Sequence, residues 1–180
     1  MRRLFPLLLC LALLLTGCAN AARDCGQRFS TGLNARSDLS FSAQLRAEYA
    51  DRSCSFTLSC REDGEGCTVM VLSPDMLKGV RARLSAGASQ MSYEDVTLDT
   101  GPLDRYGLSP LSALPTLLRA VREGHLDTAW NEGDFRVCEW ILEDGLSARV
   151  WIQEESMTPV HAEIISDGRV TVFIDITDWS

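Results

Sequence analysis

Three Asp-Gly dipeptides constrain this chain more than any other feature: Asp63-Gly64, Asp144-Gly145 and Asp167-Gly168. Each stands between runs of alternating apolar and polar residues. Asp-Gly accepts the left-handed backbone that a two-residue hairpin turn demands, so each dipeptide predicts an antiparallel strand pair. Residues 53–60 show the alternation most cleanly. Cys54, Phe56, Leu58 and Cys60 share one side, and Ser53, Ser55, Thr57 and Ser59 share the other. A two-residue turn at Asp63-Gly64 sets Glu62 opposite Glu65, Cys60 opposite Cys67, Leu58 opposite Val69 and Phe56 opposite Val71.

The second dipeptide joins Phe135–Leu142 to Leu146–Gln153, and the third joins Val160–Ile165 to Arg169–Asp178. In the second hairpin Trp140 falls opposite Arg149, which predicts a Trp–Arg pair on an exposed outer face. Trp151 falls opposite Cys138. Weaker strands lie near Val80–Leu84 and Met91–Leu98. This spacing belongs to one large antiparallel sheet and not to βαβ units.

Two helices are expected against it. From Asn34 to about Asp51, Leu39, Ala43, Leu45 or Arg46, and Tyr49 or Ala50 recur at three- and four-residue spacing. Later, Leu114, Leu117, Leu118 and Val121 share a face, with Pro115 suited to the first helical position and Gly124 to the stop. Between the hairpin sets, this helix has one place to bury its apolar face, the inner surface of the sheet. The expected class is α+β: a strongly curved antiparallel sheet with helices covering its concave face.

The chain opens Met1-Arg2-Arg3 and then runs apolar from Leu4 to Leu15, broken by Pro6. A basic start and a short apolar core describe a secretory signal. A membrane-spanning helix needs about 20 apolar residues. Leu15-Thr16-Gly17-Cys18 resembles the lipobox of bacterial lipoproteins. The resemblance implies that Cys18 takes a diacylglycerol, that residues 1–17 are removed, and that an acyl anchor such as palmitate holds the chain at the membrane, outside the cytoplasm. If the cell is Gram-negative, Ala19 after Cys18 points to the outer membrane. Residues 18–33, with Gly26 and Gly32, read as a flexible stalk, which leaves 34–180 as the domain.

The formal charge is −8, and losing Arg2 and Arg3 makes the mature chain more acidic still. Nucleic acid and anionic lipid surfaces are therefore poor partners. Five cysteines remain after Cys10 and Cys18. Cys60 and Cys67, opposite one another with Cα atoms about 5.5 Å apart, could form a disulfide. Cys25, on the stalk, is the candidate for a bond to another chain.

No catalytic or metal pattern stands out. His125 and His161 form no H-E-x-x-H or spaced Cys/His set, so no metal is expected. There is no G-x-S-x-G elbow, phosphate-binding loop or dinucleotide turn, so neither an enzyme nor a cofactor is expected. Glu139 stands among Phe135, Val137 and Ile141, where pairing with an Arg or a turn outward is the expected state. Glu154-Glu155 reads as a negative loop face.

Helix, hairpin, further strands, covering helix and a final four-stranded meander resemble the LolA-like superfamily of lipoprotein carriers, receptors and lipid-binding lipoproteins. The best local match is Val150–Val160, an aliphatic strand, an acidic turn and Pro159 opening the next strand. Glu163–Arg169 and the closing strand of Val170, Val172, Ile174, Ile176, Asp178 and Trp179 continue it. The resemblance implies a half-open barrel whose concave face holds acyl chains or a partner's hydrophobic segment. The cavity would be lined by Phe56, Leu58, Val69, Val71, Val170, Val172, Ile174 and Ile176, with Leu117, Leu118 and Val121 above. The same faces also describe an ordinary packed core; cavity volume separates the two. The family's soluble carrier has no lipid anchor, so the resemblance points to its lipidated members. Binding of a lipid or lipoprotein is the first expectation. The alternative is a protein-interaction lipoprotein that supports an envelope or spore-cortex enzyme, as a germination lipoprotein of this fold does.

Overall fold

The structure, a computed structural model, describes residues 21–49, 52–85, 88–101, 109–142 and 145–180. Cys18 and the signal lie outside these residues. The first element is a helix, α1, over residues 21–34. Ala22, Cys25, Phe29 and Leu33 recur on one face and are buried. Residues 21–33 are thus a packed helix where a loose stalk was expected. Gly26 is what lets it sit close: a Cβ there would meet Cys138 Sγ at 2.8 Å.

The strands follow: β1 (Leu39–Tyr49), β2 (Arg52–Asp63), β3 (Gly66–Ser73), β4 (Arg81–Ser85), β5 (Ala88–Tyr93) and β6 (Val96–Asp99). Helix α2 (Pro110–Glu123) interrupts them. The meander is β7 (His125–Glu132), β8 (Phe135–Ile141), β9 (Leu146–Gln153), β10 (Thr158–Ser166) and β11 (Arg169–Thr177). All eleven form one open antiparallel sheet in the order β6-β5-β4-β3-β2-β1-β11-β10-β9-β8-β7. β1 joins the two halves, pairing with β2 on one side and β11 on the other.

Four expectations are corrected here. The first is that residues 39–49, expected within a helix, are the strand β1. Leu39, Phe41, Ala43, Leu45 and Ala47 alternate strictly and are buried, which is the period of a strand; the helical reading drew on the same residues at a coarser spacing. The second is that residues 91–98 are two strands, not one, because they turn at Glu94-Asp95. Third, α2 begins at Pro110, which occupies the first turn, and Pro115 lies inside the helix. Finally, β7 is a fifth strand in the C-terminal meander.

Two hairpins keep their strands but shift register. At the first, Asp63 pairs with Gly66, and Asp63 Oδ1 accepts the amides of Glu65 and Gly66, both at 3.0 Å. Asp63 therefore stands before the turn and not within it. Cys60 faces Val69, Leu58 faces Val71, and Glu62 faces Cys67. At the second, Leu142 N donates to Leu146 O at 2.8 Å, so the loop spans three residues, 143–145, and ends at Gly145 with φ +72°. Asp144 lies outside the described residues. The longer loop slips the pairing by one and reverses the faces. Trp140 faces Ala148 and is buried, while Trp151 faces Val137. Only the third hairpin turns as its dipeptide predicts, with Asp167 and Gly168 both at positive φ between Ser166 and Arg169.

Candidate functional site

The inner side chains of the sheet and the two helices form one hydrophobic cluster. Nine of the predicted cavity residues belong to it: Leu58, Val69, Val71, Leu117, Leu118, Val121, Val172, Ile174 and Ile176, none more than 8% exposed. Phe56 packs against its margin, and Val170 is half-buried at the start of β11. Sequence and structure therefore agree on which residues meet. They meet as one buried hydrophobic cluster beneath α1 and α2.

Tertiary bonds fasten both helices down. Ser30 Oγ on α1 donates to Val121 O on α2 at 2.8 Å. Phe29 lies against Trp140 and Trp179, with ring centroids 6.4 and 6.0 Å away. Arg122 at the end of α2 forms a half-buried ion pair with Glu62 on β2, and its Nη2 donates to Leu33 O at 3.3 Å.

The concave surface runs on past the helices. One registered row crosses five strands: Cys60, Val69, Ala82, Met91 and Leu98. Cys60, Val69 and Ala82 are buried, Met91 is half-buried, and Leu98 is 62% exposed. In the neighbouring pair on this face, Tyr93 is 47% and Val96 60% exposed. The core stripe therefore continues onto a wing, β4–β6, buried still at Ala82, half-buried at Met91 and in solvent at Leu98. No candidate site residue from the sequence lies on β4–β6. The alternation of Met91 and Tyr93, then Val96 and Leu98, was the available signal, hidden by reading both strands as one.

The cysteines divide by depth. Cys60 and Cys67 lie diagonally across β2 and β3, with sulfurs 3.1 Å apart and both thiols free. The mutual hydrogen bond, then burial, holds the Cys60 thiol well above its ordinary range. Cys138 donates to Ala22 O at 3.5 Å, and burial pushes its pKa up to about 12. Cys25 is also buried, packed with its Sγ 3.9 Å from Met157 Sδ, and burial raises its pKa. Buried in this way it is not placed to bond another chain; among the described residues the exposed thiol is Cys54. Since the thiolate is the reactive form, the buried thiols are inert nucleophiles in this fold.

The convex face is a network of structural ion pairs. Arg149 reaches Glu139 at 3.1 Å and Glu163 at 2.9 Å, and its guanidinium lies 5.5 Å from the ring of Trp130. Glu139 is thus paired by an Arg, as expected, and Arg149 stacks on Trp130, not on Trp140. On the concave side, Glu154 pairs with Arg28 and Arg136, so this half of the acidic turn is a strap to α1, while Glu155 is exposed. His161 Nδ1 lies 2.7 Å from Asp175 Oδ1, on the outer side. Among the described residues no group of three His, Cys, Asp or Glu could hold a metal ion, and no helix is long and apolar enough to cross a membrane.

No family model matches the sequence, and no curated protein matches it by sequence. Solved structures do match. A LolA superfamily protein from Nitrosomonas europaea is similar over 88% of this chain and 92% of its own, with TM-score 0.51 and 11% identity. A conserved protein from Thermus thermophilus is similar over 89% and 86%, with TM-score 0.52 and 8% identity. A chain of the CwlD amidase complex with the GerS lipoprotein from Clostridioides difficile is similar over 86% and 92%, with TM-score 0.51 and 11% identity. At these identities the likeness is one of fold, and the fold is LolA-like.

Proposed function

We propose that this chain is a non-catalytic, lipid-anchored envelope protein that docks a protein partner on the uncovered wing of its sheet. The observation that carries the reading is the row from Cys60 to Leu98. An apolar stripe that is buried at one end and bare at the other is a surface awaiting a cover. The bonds that fasten α1 and α2 over the buried cluster support a partner on the wing over an acyl chain inside. The GerS complex supports the reading only in showing that a protein of this fold occurs in an assembly with an amidase.

The anchor follows from Cys18. Diacylglycerol on its thiol would tie the domain to the membrane. In an oxidising envelope the Cys60–Cys67 pair would close to a disulfide as the chain folds, before both thiols are buried, by exchange with a disulfide donor that leaves reduced. It would then staple β2 to β3 where the core gives way to the wing.

A photo-crosslinking residue placed at Leu98 in cells, with Ile174 as the buried control, tests the docking. A discrete protein adduct at Leu98, and none at Ile174, is the expected result. Lipid adducts at Ile174, or lipid in stoichiometric amount in an organic extract, would return the trough to a ligand cavity. Cys18→Ala should move the chain from the membrane to the soluble fraction; retention at the membrane would remove the anchor.

A further inference from the structure

We infer that β6 receives an extended, basic segment of the partner as an additional strand of the sheet. The inference rests on the docking reading above and adds its chemistry. β6 is the last strand at its end of the sheet, and all four of its residues are exposed. The β5–β6 turn has two residues, Glu94 and Asp95, so the flanking Tyr93–Val96 pair exchanges ladder bonds with itself. Alternation then gives Met91–Leu98 the next bonded pair. Thr100 N donating to Ser89 O at 3.0 Å continues the series. The main-chain N–H and C=O of Thr97 and Asp99 therefore point away from β5, along the open edge. An unpaired row of this kind is a template for another strand.

The side chains define what that strand must carry. On the concave side it would meet Val96 and Leu98, so its inward residues must be apolar. On the convex side and at the turn it would meet Asp99, Asp95 and Glu94, none in an ion pair among the described residues. Asp99 Oδ1 accepts one bond from Gln90 Nε2 at 2.9 Å and has further acceptor capacity. The outward residues of the incoming strand must therefore be basic. A second copy of this acidic chain fits poorly. Antiparallel pairing of β6 with itself about Thr97 sets Asp99 opposite Asp95 twice, and like charges directly across a pair are destabilising.

The probe is an acetylated octapeptide alternating Val with Lys, added to the full chain in detergent, with a Val–Glu peptide as its counterpart. The Val–Lys peptide should bind and slow hydrogen exchange at the Thr97 and Asp99 amides at least tenfold. The Val–Glu peptide should not. Binding should weaken as ionic strength rises from about 0.01 M to about 1 M, where the screening length shrinks to a few ångström. Asp95→Asn with Asp99→Asn should lower affinity about tenfold at low salt. Thr97→Pro should abolish binding. It removes an amide that β5 does not use, so proline is tolerated at this edge position, and the urea midpoint should stay that of the parent.

Equal binding of both peptides, or binding that survives Thr97→Pro, overturns strand addition. Concentration-dependent self-association that Thr97→Pro abolishes overturns the choice of partner. A protein adduct at Leu98 that Thr97→Pro leaves intact keeps the docking reading and removes only the strand. No protein adduct at Leu98 removes both.

Discussion

At one end of the sheet, β7 lies under cover. Arg23 of α1 reaches its edge and donates to Leu126 O at 2.9 Å and Asp127 O at 3.3 Å. The strand is bulged between Leu126 and Thr128, which twists an edge away from straight pairing. At the other end, β6 carries neither a bulge nor a helix residue across its open side among the described residues. The two halves share one backbone plan and one alternation, and what separates them is the position of two helices. α1 and α2 lie over β1–β3 and β7–β11, so the residues beneath become core; past Ala82 on β4, β5 and β6 have the same inner pattern and become surface. Burial here is a property of the neighbour and not of the strand.

The largest test of that contrast falls in the covered half. Trp140 is buried between α1 and the sheet, against Phe29. Trp140→Ala should cost about 3–5 kcal/mol of stability, the range for truncating a buried large aromatic. Urea unfolding would measure it, and a loss under about 1 kcal/mol would mean that α1 does not seal this side.

A middle-sized effect tests the same seal by pH. The folded-state pKa of Cys138 is about 12, because burial disfavours its thiolate. An unfolded thiol ionises near 8.5–9. Below that range both states keep the proton and the stability is whole. From about pH 9 to about 12 the unfolded chain has lost a proton that the folded chain retains, so stability falls, by about 1.4 kcal/mol per unit from this group. Cys25 and Cys60 shift the same way and add to the slope. Cys138→Ala should flatten the curve by its share, whatever it does to the level at neutral pH. An unchanged slope would show that α1 frays from the sheet before the thiol titrates.

How much of this was legible in the sequence depends on which signal set each element. The third hairpin was fully readable, since Asp167 and Gly168 alone determine its turn. The first was readable as a hairpin but not in register: Asp63 could stand in the turn or before it, and only the amides it accepts decide. The second slipped by one because its loop has three residues. That single residue moved Trp140 from the surface to the core and Arg149 onto Trp130. β1 and α1 were exchanged for a different reason. Leu39 to Ala47 satisfies a strand and, loosely, a helix. Ala22, Cys25, Phe29 and Leu33 form a helical stripe that Gly26 and Gly32 made look like a linker. The residues of the concave face were legible as a set. Whether they enclose space or fill it was not, because that depends on how closely α1 and α2 approach, and Gly26 sets part of that distance.

The smallest effect lies at the bare end of the row. Leu98 faces Met91 across β5, two strands beyond buried Ala82, and is 62% exposed. If the wing is surface in the free protein, Leu98→Ala removes little contact, and the urea midpoint should shift by no more than about 0.5 kcal/mol in stability. The same substitution should nevertheless weaken binding of the Val–Lys peptide, since the side chain contributes only once it is covered. A stability loss of about 2 kcal/mol would place Leu98 in the core class. That result would remove the difference between the two halves, because the stripe would then be sealed along its whole length and β6 would have no apolar face to offer.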